Sequence, residues 1–238
     1  MKKKPMLLLL PNLLGDHKYH EPYLPASVGN AVETLDGLIA ESDRAGRRFL
    51  SRFETKKPVR EMPISILDKN TPDQDLDFLL EPIREGERWG YVADAGLPCV
   101  ADPGAKLVRR ARQTGVQIQA YVGPSSITLA LMLSGLSGQN FSFHGYLAKD
   151  PSNREKEIHE MELVSKKEGI TQIMIEVPYR NRHLLESLLR ILSDQTVLCV
   201  AAELTMPEQM VLSQTVELWK KSPLPNLEKK NAIFLFGV

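Results

Sequence analysis

One stretch decides the fold, residues 94–104, which read D-A-G-L-P-C-V-A-D-P-G. The apolar run Trp89–Ala93 before it predicts a strand, and the pattern of Ala105–Thr114 after it predicts a helix. The same order returns further on, where the predicted strand Gln117–Val122 runs into the turn G-P-S-S at 123–126. Strands that alternate with helices in this way predict an α/β fold.

The remaining apolar runs extend this pattern along the chain. They are near-continuous rather than alternating, which is typical of strands covered on both faces. They are Pro5–Leu10, Gly37–Ala40, Thr171–Val177, Thr196–Ala202 and Ala232–Val238. Helical patterns cover Ser125–Ser134, residues 152–167 and Asn181–Leu192. We therefore predict two α/β domains with mixed, largely parallel sheets, one over residues 1–121 and one over 122–238.

The charge of the chain is balanced overall but uneven locally. Of 238 residues, 42% are hydrophobic and 25% charged, with 30 Lys and Arg against 30 Asp and Glu. These values exclude a disordered chain, a collagen-like repeat or a coiled coil, and zero net charge argues against nucleic-acid binding by bulk electrostatics. Yet residues 41–60 hold seven basic and three acidic side chains, and 61–90 hold three and eight. A local basic patch is therefore still possible.

Targeting and metal signals are weak. The N-terminal apolar run Met6–Leu10 is shorter than the roughly seven to fifteen residues of a signal peptide, and no run approaches the ~18 of a membrane span. Cys99 and Cys199 have no metal-ligand spacing, and His17 with His20 is a poor metal motif without further ligands. We expect a cytoplasmic protein with no membrane partner and no metal.

Familiar nucleotide and hydrolase motifs are absent from the sequence. It holds no G-x-G-x-x-G, no G-x-x-x-x-G-K-[ST] and no G-x-S-x-G. This argues against a dehydrogenase, an NTPase and a serine hydrolase. The Gly, Pro and Asp residues instead gather just after predicted strands, where open α/β sheets bind ligands.

Taken together, the loops carry a family resemblance. The pattern D-A-G-x-P-x-x-x-D-P-G at 94–104, followed by G-P-S-S-I at 123–127, resembles the tetrapyrrole methylase family of S-adenosylmethionine-dependent methyltransferases. Within it, the chain is most similar to the branch that methylates the ribose 2′-hydroxyl of a cytidine in small-subunit ribosomal RNA. The likeness includes E-S-D-R at 41–44, F-H-G-Y-L at 143–147 and E-V-P-Y-R at 176–180.

The resemblance implies a cofactor and the residues that bind it. S-adenosylmethionine would lie in the cleft between two domains, and the enzyme would be a homodimer. The cofactor residues carried over from the family are Asp94, Ala95, Gly96, Asp102, Pro103, Gly104, Gly123, Pro124, Ser125, Ser126, Ala201, Ala202, Glu203 and Leu204. Because the cofactor supplies the activated methyl group, the protein mainly positions donor and acceptor, and no nucleophile or metal motif is required.

The acceptor side rests on fewer residues. We expect Glu41 and Arg44 to be catalytic, with Glu41 orienting or deprotonating the acceptor hydroxyl; the alternative is a helix N-terminal acid favoured by the dipole. Ribosomal RNA would be contacted by Arg44, Arg47, Arg48 and Arg52. Arg44, Arg48 and Arg52 recur at four-residue spacing, which predicts one helix face. The alternative is a solvated face with ordinary ion pairs.

The chain also departs from the ribosomal branch. Its first loop reads L-P-N-L-L-G-D at 10–16 where that branch has Thr-Pro-x-Gly-Asn-Leu, and an insertion follows at His17–Pro25. The branch's Glu-Asp-Thr-Arg is replaced by E-S-D-R. These differences leave two alternatives open. One is a methyltransferase acting on a tetrapyrrole, corrinoid or other small metabolite, and the other is a non-catalytic module that binds S-adenosylmethionine.

Overall fold

The computed structural model describes residues 5–238, and the chain divides into two compact units. The first unit ends at Ser125 and the second comprises Ser126–Val238. The sequence-based boundary lies shortly before this point, between residues 121 and 122. Each unit is built around a five-stranded sheet.

The sheet of the first unit is wholly parallel. Its strands are β1 (Met6–Leu10), β2 (Gly37–Ala40), β3 (Ile64–Ile66), β4 (Arg88–Val92) and β5 (Ile118–Ala120), in the order β3-β2-β4-β1-β5. The helices are α1 (Ala26–Val32), α2 (Asp43–Leu50), α3 (Leu76–Arg84) and α4 (Gly104–Gln113). Because all the strands run the same way, their carboxyl ends share one edge of the sheet.

The strand β1 shows why its leucine run folds as it does. Leu8 and Leu10 pack into one apolar cluster with Phe49, while Leu7 packs into a second cluster with Tyr91. Successive side chains of a strand point to opposite faces, so a strand covered on both sides needs apolar residues at every position. The near-continuous runs in the sequence are explained by this double cover.

The second unit has a mixed sheet. Its strands are β6 (Phe141–Tyr146), β7 (Thr171–Glu176), β8 (Val197–Ala202), β9 (Met210–Thr215) and β10 (Ala232–Gly237), in the order β6-β7-β10-β8-β9. The pair β6/β7 is parallel, and the other three pairs are antiparallel. The helices are α5 (Ser126–Ser134), α6 (Pro151–Glu168), α7 (Asn181–Ile191) and α8 (Val216–Lys221). The prediction of an α/β fold with mixed, largely parallel sheets is confirmed, and the antiparallel pairs belong to the second sheet.

Candidate active site

Polar side chains follow the central strands of the first sheet at their carboxyl ends. Asn12 comes after β1, Glu41 directly follows β2, and Asp94 comes after β4. These strands are neighbours in the sheet, in the order β2-β4-β1, so the three residues meet at one edge. A carboxylate oxygen of Glu41, Oε1, accepts a hydrogen bond from the backbone N–H of Asp94 at 3.0 Å.

Asn12 ties the loop after β1 to the loop after β4. Its side-chain Nδ2 donates to the carbonyl oxygens of Ala93 and Asp94, both at 3.0 Å, and its backbone N–H donates to the carbonyl of Gly96 at 2.8 Å. The Asn12 side chain is buried. A buried amide with its donors satisfied fixes the two loops in one arrangement.

Two glycines allow these loops to approach more closely than other residues could. Gly96 has φ +69°, and a Cβ there would lie 3.1 Å from Leu14 Cδ2 and 3.5 Å from the carbonyl oxygen of Pro124. A Cβ on Gly123 would lie 2.1 Å from Pro11 Cβ, which no side chain could tolerate. The predicted cofactor loops at 94–96 and 123–124 therefore pack against the loop after β1.

The second half of the D-A-G-x-P-x-x-x-D-P-G stretch is organised by Asp102. Its Oδ1 accepts hydrogen bonds from the Tyr91 hydroxyl at 2.8 Å and from the Gly104 backbone N–H at 2.7 Å. Its Oδ2 is buried and has no hydrogen-bond partner among the described residues. A Cβ on Gly104 would lie 2.0 Å from Tyr91 Cε1. Asp102 thus fixes the start of α4 and leaves one carboxylate oxygen available to a ligand.

The backbone between these two halves is strained. Cys99 has φ +69° and Ala101 has φ +62°, in the left-handed region that non-glycine residues rarely adopt. Such residues cost about 1–3 kcal/mol each and gather at binding and catalytic sites. Burial and the nearby Asp102 carboxylate raise the pKa of the Cys99 thiol to about 12. The thiol is therefore protonated at neutral pH and unsuited to act as a nucleophile.

The electrostatics of the edge centre on Glu41. Burial is the largest cause that raises the pKa of this carboxyl, and the nearby carboxylates of Asp94, Asp102 and Asp68 raise it further. The hydrogen bond from the Asp94 backbone lowers it in part. A carboxyl with a raised pKa is a stronger proton acceptor once ionised, which suits a general base.

The predicted cofactor residues fall into both units. Asp94–Gly96, Asp102–Gly104 and 123–124 lie at the carboxyl edge just described, and Ser125 ends the first unit. Ser126 begins α5, which packs against β8 in the second unit.

The later predicted segment lies at the end of β8. Ala201, Ala202 and Leu204 are buried there. Glu203 has φ +49°, and its backbone N–H donates to the carbonyl of Asn231 at 2.9 Å. A carboxylate oxygen of Glu203 accepts from the Asn231 backbone in return, at 2.5 Å. This second strained turn is held by a reciprocal pair of hydrogen bonds.

The four predicted RNA-contacting arginines have different environments. Arg44 is exposed on α2, whose first turn is capped by the Ser42 side chain. Arg47 donates to Asp43 at 3.0 Å and to the carbonyl of Val59 at 2.6 Å, so it fastens α2 to the following segment. The helix α2 ends at Leu50, two residues before Arg52, but Arg52 NH1 donates to the carbonyl of Arg48 at 3.2 Å. Arg52 therefore lies next to Arg48, although the helix is shorter than the four-residue spacing predicts.

Two further residues that fix the loops of this site were not among the candidates predicted from the sequence. Asn12 and Tyr91 both fix loops of the site, yet neither was a candidate. The signal for Asn12 was its place immediately beyond β1 in a loop already recognised as a strand end. Tyr91 lies within a strand and reads as an ordinary apolar position.

Residues 5–238 contain no group of three or more His, Cys, Asp or Glu side chains arranged to hold a metal ion. Within the same range, no helix has the length and apolar character needed to cross a membrane.

Two solved structures share the fold of this chain. The structure of the methyltransferase CobJ matches 98% of this chain and 93% of its own, with a TM-score of 0.67 and 16% identity. Diphthine synthase matches 98% of this chain and 89% of its own, with a TM-score of 0.61 and 16% identity. These likenesses show that the chain has the α/β fold of these two structures.

Sequence comparison identifies the family. The profile described as Tetrapyrrole (Corrin/Porphyrin) Methylases matches residues 23–218, and the chain belongs to that family. The chain is 31% identical to Ribosomal RNA small subunit methyltransferase I of Thermotoga maritima over 182 residues, which is 75% of this chain and 77% of the relative.

In other relatives with the same name, the matched region covers a smaller share of the relative. The likeness to that of Xylella fastidiosa is 31% identity over 78% of this chain and 64% of the relative. That of Bacillus subtilis is 28% identical over 81% of this chain and 66% of the relative. The match thus spans about two thirds of the length of these two relatives. The methyltransferase prediction is confirmed at the level of the family.

Proposed function

We propose that this protein uses S-adenosylmethionine to methylate a ribose 2′-hydroxyl of small-subunit ribosomal RNA. The observation that carries the proposal is the Glu41 carboxyl, which has a raised pKa and lies beside the loop 94–104 at the carboxyl edge of a parallel sheet. The names of the relatives from Thermotoga maritima and Xylella fastidiosa support the RNA substrate.

The donor set at this edge fits S-adenosylmethionine. The buried Asp102 Oδ2 lacks a hydrogen-bond partner among the described residues and can accept from a hydroxyl or ammonium group. Gly96 and Gly123 let backbone approach a ligand closely. Within the first unit, Asp94–Gly96, Asp102 and the turn at 123–125 would hold the cofactor. When bound, S-adenosylmethionine supplies a methyl group activated on a sulfonium.

Glu41 would hold and move the proton of the reaction. Its Oε1 is oriented by the Asp94 backbone N–H, which leaves Oε2 to accept the proton of the acceptor hydroxyl. Its raised pKa brings it closer to neutral pH than an ordinary glutamate, which favours proton transfer. Arg44 is exposed on the first turn of the next helix and would bind a phosphate of the RNA strand beside the acceptor ribose.

We further propose a cytoplasmic homodimer. The helix α5 is apolar and exposes Met132 and Leu133, by 76% and 46%. Exposed apolar surface of this kind favours association. Light scattering after gel filtration would give twice the mass of 26.7 kDa for a dimer, and the monomer mass would contradict this part of the proposal.

One experiment tests the reaction and the acceptor together. S-adenosylmethionine labelled with tritium in its methyl group is offered with small ribosomal subunits and, separately, with a small-molecule extract that contains tetrapyrroles and corrinoids. The proposal expects label in the RNA, in a dinucleotide that resists alkaline hydrolysis because its 2′-oxygen is blocked. Label in the small-molecule pool would support the metabolite alternative. Cofactor binding in calorimetry without transfer to either would support a non-catalytic module.

A further inference from the structure

A pocket of about 410 Å³ lies beside the C-terminal end of α2, whereas Glu41 precedes the N-terminal end of this helix. It is lined by residues 16–21, which include both charged residues of the insertion, together with Arg48, Ser51 and Arg52. The segment ends in a turn, in which the backbone N–H groups of Tyr23 and Leu24 both donate to the carbonyl of His20 at 2.9 Å. The His20 ring packs against Phe53 at 4.5 Å between centroids.

Positive charge exceeds negative charge in this pocket. With neutral histidines, Lys18, Arg48 and Arg52 face the two carboxylates Asp16 and Glu21. Arg48 pairs with Asp16, and His20 Nδ1 lies 3.9 Å from Glu21. Burial and the neighbouring Arg48 guanidinium lower the pKa of Arg52, while Asp16 raises it. The three cationic side chains of the pocket thus outnumber its two carboxylates.

The exposures of the pair Arg48–Asp16 show that this carboxylate can be displaced. The side chains are 51% and 78% exposed, so the ion pair is largely solvated and contributes little to stability. The negative end of the α2 dipole faces the same pocket. The backbone carbonyl of Arg48, in the last turn of α2, already accepts hydrogen bonds from Ser51 Oγ at 2.9 Å and from Arg52 NH1 at 3.2 Å. An incoming anion would therefore meet guanidiniums rather than bare carbonyls.

Position points to the nature of the anion. The helix α2 has eight residues, so its length is about 12 Å at 1.5 Å per residue. Glu41 lies just before its beginning and the pocket beside its end. An RNA strand that has its reacting ribose at Glu41 and runs along α2 would carry neighbouring phosphates past Arg48 and Arg52.

We propose that this pocket binds a backbone phosphate of the RNA substrate, with Arg48 and Arg52 as the ligands and Asp16 as the carboxylate that the phosphate displaces. The inference rests on the proposed function, since it presumes an RNA strand at Glu41. It also gives the insertion a role, because residues 17–21 form one wall of the phosphate site.

The test compares RNA affinity and methyl-transfer kinetics for variants inside and outside the pocket. Arg52→Gln should raise the KM for small-subunit RNA about tenfold with kcat unchanged, and reduce the slope of log affinity against log salt by about one. Arg60→Gln is the matched control. It removes the same charge from the same basic segment, and its side chain is 85% exposed and paired with Glu61. It should stay within about twofold of the wild type.

Asp16→Asn guards against a folding defect, because it should bind RNA more tightly, by about threefold, through loss of the competing carboxylate. Equal effects of Arg52→Gln and Arg60→Gln, with RNA methylation intact in the wild type, would overturn the pocket and leave the proposed function standing. Absence of RNA binding and methylation by the wild type would overturn both. Weaker binding by Asp16→Asn would also contradict the displaced-carboxylate role.

Discussion

Two glutamates, one in each unit, show how differently this chain treats a carboxyl withdrawn from water. Glu162 on α6 is 3% exposed and accepts hydrogen bonds from the Thr196 hydroxyl at 2.5 Å and the Ser193 backbone at 2.7 Å. Lys166 pairs with it at 2.9 Å. These donors lower its pKa although burial alone would raise it.

Glu41 has the opposite surroundings. Burial raises its pKa most, the hydrogen bond from the Asp94 backbone lowers it in part, and the nearby carboxylates of Asp94, Asp102 and Asp68 raise it further. Hydrogen-bond donors around a buried carboxyl favour its charged form and stabilise the fold. Burial beside other carboxylates disfavours the charged form, so the pKa rises and the carboxylate accepts a proton more readily. The difference separates a structural position from a functional one.

The largest effect should come from Glu41→Gln. If Glu41 accepts the proton of the acceptor hydroxyl, kcat for methyl transfer should fall about 10²–10⁴-fold. Binding of S-adenosylhomocysteine, measured by calorimetry, should be unchanged, because the amide keeps the size and the acceptor oxygen of Glu41. If the kcat of this variant is within a few fold of the wild type, Glu41 does not accept the proton, and it does not differ from Glu162 in function.

The second-largest effect, a loss of stability, should come from Glu162→Ala. It leaves the Thr196 hydroxyl and the Ser193 backbone N–H without their acceptor in a buried site, which should cost about 2–4 kcal/mol of unfolding free energy. Urea unfolding measures this loss, and kcat at a temperature where the variant is folded should match the wild type. A large loss of kcat without loss of stability would contradict a purely structural role.

The pH dependence of stability should have opposite signs at the two sites. The pKa of Glu41 is raised above 4.5, so its ionisation costs stability as pH rises through that region. Glu41→Gln should therefore melt at a higher temperature than the wild type at pH 7, with the advantage disappearing below about pH 4.5.

For Glu162 the folded pKa is lowered, so its contribution is present above the ordinary value of 4.5 and is lost as pH falls through the folded pKa. Thermal melts of the wild type, Glu41→Gln and Glu162→Gln across pH 3–8 would measure both. The same sign for the two variants would contradict the electrostatic distinction.

The smallest effect should come from Asp68→Asn. Asp68 raises the pKa of Glu41 less than burial does, and its own hydrogen bonds from Asn70 and Thr71 can be kept by an asparagine oxygen. The acid limb of the kcat profile should move to lower pH by roughly a few tenths of a unit. A shift to higher pH would mean that Asp68 does not act on Glu41 through its charge.

Buried elements were predictable from the sequence and shallow ones were not. The strand β2 has the predicted bounds, because all four of its residues are buried and apolar runs mark such strands. Two strands without a buried apolar run were missed: β3 has only three residues, and no residue of β9 is fully buried. The helix α3 was missed in part because Pro82 lies inside it, where a proline usually ends a helix.

The position of Glu41 and Asp94 could be predicted from the sequence, but their hydrogen-bond partners could not. Both residues follow apolar runs, and parallel strands bring such positions to one edge. Asp102 was singled out from the family pattern, and the roles of all three residues stay predictions. Nothing in the sequence shows that Asn12 bonds to the loop after β4, or that Arg47 is committed to Val59. These contacts depend on strand order and on loop conformation, which local patterns do not encode.

Methyl transfer by the wild type and Glu41→Gln to small ribosomal subunits, read out by mass spectrometry of the digested RNA, tests the central claim most directly. The account predicts a 2′-O-methyl group at one ribose with the wild type, and its loss with Glu41→Gln while cofactor binding persists. A methyl group on a base or on a small molecule, or an undiminished 2′-O-methyl product with Glu41→Gln, would contradict it.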